Sequence, residues 1–143
     1  RGRFSARLDP GIDKGERPMT EVSRSSDCGN SPKNRMAEDI AVALATQDTD
    51  LLSQVLDPGA HWNHPAGTWT TAKAILEQVA SGGAPASLAI EHAISHGKVG
   101  AVSGSVVRET GRFGFCHVIE FTSVKCSRVR RIDSYGRSEK PAI

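Results

Sequence analysis

The chain has 143 residues, of which 38% are hydrophobic, and a formal net charge of +2. This length suits one domain whose apolar core is stable without metals or disulfides. Residues 1–33 hold seven basic and five acidic side chains, so the net charge belongs to this segment and residues 34–143 are neutral. A neutral domain argues against a nucleic-acid-binding groove. No apolar run approaches the roughly 20 residues that cross a bilayer, so we expect no membrane partner.

The first 33 residues are rich in Arg, Ser, Gly, Pro and Asp and show no apolar period. This composition predicts a flexible or loosely docked N-terminal arm at residues 1–33, followed by a folded domain at residues 34–143. The three cysteines show no metal-binding spacing, and their odd number, with no apolar leader, fits a reducing compartment. We therefore expect a cytoplasmic protein that uses neither a metal nor another cofactor.

Three helices are predicted in the first half of the domain. Apolar residues repeat at intervals of three and four after Asn34, which is a candidate N-cap. A second, short helix is predicted over Thr49 to Leu56, with Asp48 as its cap. A third helix follows Thr70, another candidate cap, and ends at Gly82-Gly83.

From Pro85 onward the apolar period changes to two, which predicts four consecutive strands. One face of the first strand consists of Leu88, Ile90, His92 and Ile94, and one face of the third consists of Phe113, Phe115, His117, Ile119 and Phe121. Helices followed by antiparallel strands predict an α+β fold in which the helices pack on one face of a curved antiparallel sheet.

Several phrases of the sequence resemble the nuclear transport factor 2-like (cystatin-like) superfamily, particularly its small bacterial SnoaL-like members. These phrases are "ALATQDTDLLSQVLDPGAHWNHPAG", "TAKAILEQV", "IEHAISHGKVGAVSGSVV" and "HVIEFTSVKCSRVRRIDSY", and the resemblance covers about Asn34 to Tyr135. It implies a cone-shaped α+β roll whose pocket lies between the concave face of the sheet and the helices. It also implies a homodimer, because the convex face commonly pairs two subunits in this superfamily.

Two catalytic patterns of the superfamily are missing from the sequence. Limonene-epoxide-hydrolase relatives place two aspartates and an arginine in the pocket, and the aspartate on the last strand falls here on Arg131 or on Ser134, depending on the register. A ketosteroid-isomerase-like pair of aspartates with a tyrosine has no counterpart on the pocket side either. Both types of chemistry are therefore disfavoured.

His117 is the main candidate for chemistry, because it interrupts an apolar strand face that the resemblance places on the concave side. A histidine in an apolar cavity serves as general base, general acid or hydrogen-bond anchor, although it also occurs as an ordinary core residue. Asp133 is the candidate orienting carboxylate if the last strand turns it to the concave side. If the strand turns it to the convex side, Asp133 and Arg131 form surface ion pairs instead. We favour the first alternative.

The stretch "HWNHPAGTW" holds both tryptophans and two of the five histidines. Its aromatic rings either bind a flat or apolar ligand at the mouth of the pocket or close the end of the cone by packing. The predicted ligand-binding residues are Trp62, His64, Trp69, His92, Phe115 and Tyr135. His61 and His64 point to opposite faces of a strand, so we do not expect them to share a metal ion.

The leading hypothesis is a homodimer that binds a small, largely apolar molecule and catalyses metal-free proton transfer, such as isomerisation, cyclisation or dehydration. The alternative is a non-catalytic dimerisation or adaptor domain, or a ligand sensor. A cavity of a few hundred Å³ favours the binding protein, whereas a filled core favours the adaptor.

Overall fold

A computed structural model describes residues 19–26 and 31–139 of the chain. In chain order the elements are β1 (Glu21–Ser23), α1 (Pro32–Thr46), α2 (Thr49–Val55), β2 (Leu56–His64), β3 (Gly67–Trp69), α3 (Ala72–Ser81), β4 (Ser87–His96), β5 (Val99–Arg108), β6 (Gly111–Phe121) and β7 (Val129–Glu139). Within these residues no helix has the length and apolar character that crossing a membrane requires.

The strands of the described residues form one sheet in the order β1-β4-β5-β6-β7-β2-β3. Neighbouring strands are antiparallel except at two places, where β1 runs parallel to β4 and β2 runs parallel to β7. The sheet is therefore mixed rather than purely antiparallel as predicted. Three helices pack on one of its faces, which confirms the predicted α+β fold.

The three predicted helices are present, but two of them begin at a different residue. Ser31, rather than Asn34, caps α1, and its Oγ accepts the Asn34 N–H at 3.2 Å. Asp48 caps α2 as predicted and accepts the Leu51 N–H at 3.0 Å. Thr71, one residue beyond the predicted position, caps α3. Each cap satisfies a backbone N–H group that the first helical turn leaves without a partner.

The core lies between the helices and the face of the sheet that they cover, which we call the helix-covered face. Fully buried side chains in this layer include Leu88, Val102, Ile119, Phe121 and Ile132 from the sheet and Ile40, Leu52 and Ile75 from the helices. The predicted alternation of β6 is confirmed, because Ile119 and Phe121 lie on this face. Burying a side chain of this size contributes about 1.5–3 kcal/mol to stability.

A β-bulge in β4 changes which of its side chains face the helices. The register with β5 shifts between Ile90 and His92, so an extra residue enters β4 at this point. Leu88 and Ile90 are buried, but beyond the bulge Ala93 is buried while Ile94 is 57% exposed. The predicted alternation is therefore wrong after Ile90. His92 is exposed on the opposite side of the sheet, which we call the open face.

The partner strand β5 accommodates this bulge with a glycine. A Cβ atom on Gly104 would overlap the carbonyl oxygen of Ala89, which is a backbone atom and cannot turn aside. Only a residue without a side chain allows the two backbones to approach so closely.

Part of the predicted N-terminal arm is folded onto the domain. Strand β1 extends the sheet beside β4, and the Arg24 guanidinium lies 2.9 Å from Glu38 and 2.7 Å from Asp39. Glu38 is 1% exposed, so Arg24 neutralises a carboxylate that would be costly to bury alone. Residues 1–18 and 27–30 of the predicted arm lie outside the described residues.

Candidate functional site

An open cavity of about 650 Å³ lies between the helix-covered face and the ends of α1 and α3. Its apolar wall includes Leu44, Val79, Val106, Phe113 and Phe115, and its polar side chains include Gln47, Gln78, His64, Arg108, His117 and Ser134. This volume is typical of sites that enclose one small organic molecule. Within the described residues, no cluster of three or more His, Cys, Asp or Glu side chains is placed to hold a metal ion.

The pairing of β6 with β7 brings His117 and Ser134 together in the cavity wall. The register places Phe115 opposite Gly136 and His117 opposite Ser134. Side chains of residues directly opposite each other in an antiparallel pair lie on the same face, and alternate residues share that face. His117 and Ser134 therefore project to the same side of the sheet as the buried Ile119. His117 lies two residues before Ile119 on β6 and borders the cavity.

Ser134 links Trp62 to His117 through hydrogen bonds. The Trp62 indole Nε1–H donates to Ser134 Oγ at 2.8 Å, and Ser134 Oγ lies 2.7 Å from His117 Nδ1. Because Ser134 Oγ already accepts the indole proton, its own hydroxyl proton is available to donate to His117 Nδ1. We therefore assign the proton of the neutral His117 to Nε2, which makes no hydrogen bond with any residue that the structure describes.

Both histidines of the cavity are held in the neutral form. Burial, with a smaller contribution from nearby His64, lowers the pKa of His117 to about 4. Burial also lowers the pKa of His64. Removal from water disfavours a charged imidazole, and two cationic rings close together would repel each other. A neutral imidazole of such low pKa is a weak base at pH 7 and serves better as a hydrogen-bond donor to an oxygen atom.

Known structures resemble this arrangement of helices and strands. An NTF-2 like protein of unknown function from Burkholderia xenovorans LB400 is 18% identical, and the match covers 78% of this chain and 88% of that one with a TM-score of 0.63. This chain has the NTF2-like fold. No protein-family model matches the sequence, and no curated protein matches it.

Two further solved structures share the NTF2-like fold with this chain. A protein of the SnoaL-like family from Agrobacterium tumefaciens C58 is 11% identical over 74% of this chain and 98% of that one, with a TM-score of 0.60. A steroid delta-isomerase from Pseudomonas aeruginosa is 13% identical over 73% and 79%, with a TM-score of 0.56. Identities this low establish the architecture alone, because one fold hosts many activities.

The aromatic stretch at the end of β2 forms one end of the cavity. The Trp62 ring centroid lies 5.2 Å from that of His64 and 5.3 Å from that of Trp69. Trp62 and His64 line the cavity, whereas Trp69 is not among the lining residues and packs behind Trp62. His64 Nδ1 accepts the Ala66 N–H at 3.0 Å, which holds the imidazole at the mouth. Of the three predicted aromatic residues, Trp62 and His64 thus border the cavity, whereas Trp69 contributes only packing.

Asp133 lies on the open face of the sheet, so its predicted pairing with His117 is wrong. It is opposite Val118 in the register. It accepts a hydrogen bond from Asn63 Nδ2 at 2.7 Å and lies 3.1 Å from the guanidinium of Arg131. These contacts match the alternative in which Asp133 and Arg131 form surface ion pairs.

Two predicted ligand-binding side chains also lie outside the cavity of this NTF2-like domain. Tyr135 is 61% exposed and shares the open face with Asp133, so only its backbone borders the cavity. His92 lies on the open face because of the β4 bulge.

Sequence reasoning did not select Ser134, which takes the place that Asp133 was expected to have. A shift of one residue in the pairing of β7 exchanges the two side chains between faces. The sequence offered only the observation that the family's aspartate position falls on Arg131 or Ser134.

Proposed function

We propose that this protein binds a small, largely apolar molecule in its cavity and holds an oxygen atom of that molecule with His117. The observation that carries this proposal is the chain of hydrogen bonds from Trp62 through Ser134 to His117, which lines the cavity. In the tautomer assigned above, the Nε2–H of His117 has no partner among the described residues. A donor in such surroundings is costly to leave without a partner, and a ligand carbonyl or hydroxyl oxygen satisfies it. By this proposal the protein is a small-molecule-binding protein of the SnoaL-like type.

A second candidate is metal-free acid/base catalysis in the same cavity, such as isomerisation, cyclisation or dehydration. The neutral imidazole of His117 favours it, because an imidazole N–H beside a carbonyl oxygen stabilises the negative charge that develops when a proton leaves the adjacent carbon. Among the described residues that line the cavity there is no Asp or Glu to accept that proton. Ligand binding or sensing is therefore the primary proposal, and catalysis is its extension.

The open face supports the proposal of a homodimer. Ile94, Val99 and Tyr135 are exposed there by 57%, 40% and 61%. Apolar side chains gathered on one face of a sheet are typical of a surface that another subunit covers. A pure dimerisation or adaptor domain would need this face but not the cavity, and the cavity volume of about 650 Å³ favours a ligand-binding protein instead.

Calorimetric titration with 2-acetylnaphthalene, a neutral and apolar ketone, tests the binding proposal. Val106→Phe fills the cavity and is expected to abolish binding. Val107→Phe is the matched control, because Val107 is the next residue of β5, points to the open face and is 37% exposed. Unchanged binding by Val106→Phe would place the ligand elsewhere and overturn the proposal.

His117→Phe tests the hydrogen bond separately from the cavity. This variant keeps a ring of similar size and removes the N–H donor, so we expect the ketone to bind about tenfold more weakly, as for the loss of one hydrogen bond. Equal affinity of His117→Phe and the wild-type protein would remove His117 from the site. Deuterium exchange tests the catalytic extension in a separate measurement. Faster exchange of the ketone's α-protons with the wild-type protein than with His117→Phe would support catalysis.

A further inference from the structure

The mouth of the cavity carries a cation whose charge no described residue balances. Arg108 ends β5 and shares the helix-covered face with Val106. Its Nη1 donates to the carbonyl oxygen of Gly83 at 2.8 Å, and the rest of the exposed guanidinium makes no ion pair with a described carboxylate. Arg108 also borders a neighbouring cavity together with Glu109, the nearest carboxylate along the chain, but Glu109 does not line the main cavity.

The lining of the main cavity contains no opposing charge. Among the described residues that border it there is no Asp or Glu, whereas Arg108 and two histidines are present. Arg137 also borders the cavity, but it is opposite Gly114 in the register and its side chain lies on the open face. A cationic ligand would find no partner here, and an anionic group at the mouth would meet a guanidinium whose planar N–H donors match a carboxylate.

The two polar ends of the cavity are far apart. His117 is opposite Val102, which lies six residues before Arg108 on β5. At about 3.3 Å per residue, the two backbone positions are roughly 20 Å apart along the strand, and the side chains of Arg108 and His117 with their hydrogen bonds to a ligand span part of this distance. Between the two ends the wall is apolar and includes Val106, Phe113 and Phe115. A single ligand that meets both ends must therefore be elongated, with an apolar body.

We infer that the cavity accepts elongated amphipathic carboxylates, with the carboxylate at Arg108, the apolar chain along Phe113 and Phe115, and an acceptor oxygen at His117. This inference rests on the proposed binding function and specifies the class of ligand. Arg108 acts as a specificity-determining residue, because it distinguishes an anionic head group from a neutral or cationic one of equal length.

Three probes with the same ten-carbon body test the charge preference. Decanoate, decan-1-ol and decyltrimethylammonium are titrated below their micelle concentrations, and binding is measured by calorimetry at low salt. Decanoate is expected to bind about fivefold to tenfold more tightly than the alcohol, which corresponds to one charge-assisted hydrogen bond at a partly exposed site. The ammonium compound is expected to bind most weakly, and the preference for decanoate should shrink as salt is added.

Arg108→Gln and Arg137→Gln are matched variants of arginines on opposite faces. Arg108→Gln retains a donor for the Gly83 carbonyl and should bind decanoate and decan-1-ol equally. Arg137→Gln should keep the wild-type preference. Adding an oxygen at the far end, in 9-oxodecanoate, should strengthen binding to the wild-type protein but not to His117→Phe.

The outcomes separate this inference from the proposed function. Equal or tighter binding of decan-1-ol by the wild-type protein, or a preference for decanoate that survives in Arg108→Gln, overturns the carboxylate assignment. If Val106→Phe nevertheless prevents binding of decan-1-ol and 2-acetylnaphthalene, the proposed binding function stands without the carboxylate assignment. If none of these compounds binds to the wild-type protein, both proposals are overturned.

Discussion

The hydroxyl oxygen of Ser134 lies 2.7 Å from Nδ1 of His117 on the neighbouring strand, and the same oxygen accepts the indole N–H of Trp62. The buried Ser134 side chain thus accepts the indole N–H of a tryptophan from β2 and orients the imidazole of a histidine from β6. Ser134 is 7% exposed, so water cannot readily replace it. The consequences of removing this hydroxyl can be measured in both stability and binding.

We expect Ser134→Ala to lower the free energy of unfolding by about 1–3 kcal/mol, because the Trp62 N–H loses its acceptor in a buried position. Urea denaturation measures this change. Ser103→Ala is the matched control, since Ser103 lies on the open face of β5 and its substitution should change stability by less than about 0.5 kcal/mol. Equal effects of the two substitutions would contradict the role assigned to Ser134.

A double-mutant cycle separates the lost acceptor from lost packing. Trp62→Phe removes the indole N–H while keeping an aromatic ring in place. In this background Ser134→Ala should cost clearly less than in the wild-type protein, because no indole donor remains unsatisfied. Additive effects in urea denaturation would show that the Trp62–Ser134 hydrogen bond contributes nothing.

Acid should destabilise this protein through His117. The folded state holds the pKa of His117 at about 4, below the usual histidine value of 6.5. Between these values the unfolded chain binds more protons, so the free energy of unfolding falls as the pH drops from about 6.5 towards 4. The stability that this difference in pKa controls is fully present above pH 6.5 and is lost below about pH 4. It amounts to about 3 kcal/mol of the free energy of unfolding.

His117→Gln is the variant that tests this pH dependence. Because glutamine does not titrate, the stability of the variant should fall less than that of the wild-type protein between pH 7 and pH 4.5. Urea denaturation of both proteins at the two pH values gives the comparison. Parallel losses of stability would assign the acid sensitivity to other groups.

The homodimer is expected to form through the open face. Ile94→Asp places a carboxylate on a side chain that is 57% exposed in one subunit, and burying that charge against a second copy would be costly. We expect size-exclusion chromatography with light scattering to give a dimer for the wild-type protein and a monomer for Ile94→Asp. Val124→Asp, at a 60% exposed position in the β6–β7 connection, should remain a dimer. A monomeric wild-type protein would refute the proposal.

The segment of residues 19–26 should contribute to the stability of the domain. Arg24→Ala removes the cation beside the buried Glu38, and we expect a loss of about 1–3 kcal/mol in the free energy of unfolding. Arg35→Ala is the control, because Arg35 is 60% exposed and lies 3.9 Å from Asp39. Its loss should cost less than about 0.5 kcal/mol. Equal losses in the free energy of unfolding for Arg24→Ala and Arg35→Ala would show that the segment does not stabilise the domain through Arg24.

The sequence by itself determined the features that depend on local periodicity. The helical repeat after Asn34 and the cap at Asp48 predicted helices that are present, and the alternation from Phe113 to Phe121 correctly placed His117 on the apolar face of β6. Such patterns are readable because neighbouring residues of one element decide which side chains share a face. The resemblance to NTF2-like proteins rested on the same local phrases.

Only the tertiary structure decided which side chains meet His117. Whether Ser134 or Asp133 faces it depends on how β7 pairs with β6, across a connection without a glycine turn to fix the register. Likewise, the bulge that turns His92 outward depends on the close approach of β4 and β5 at Gly104. Strand register arises from contacts between segments distant in sequence, and a shift of one residue sends every side chain of a strand to the other face.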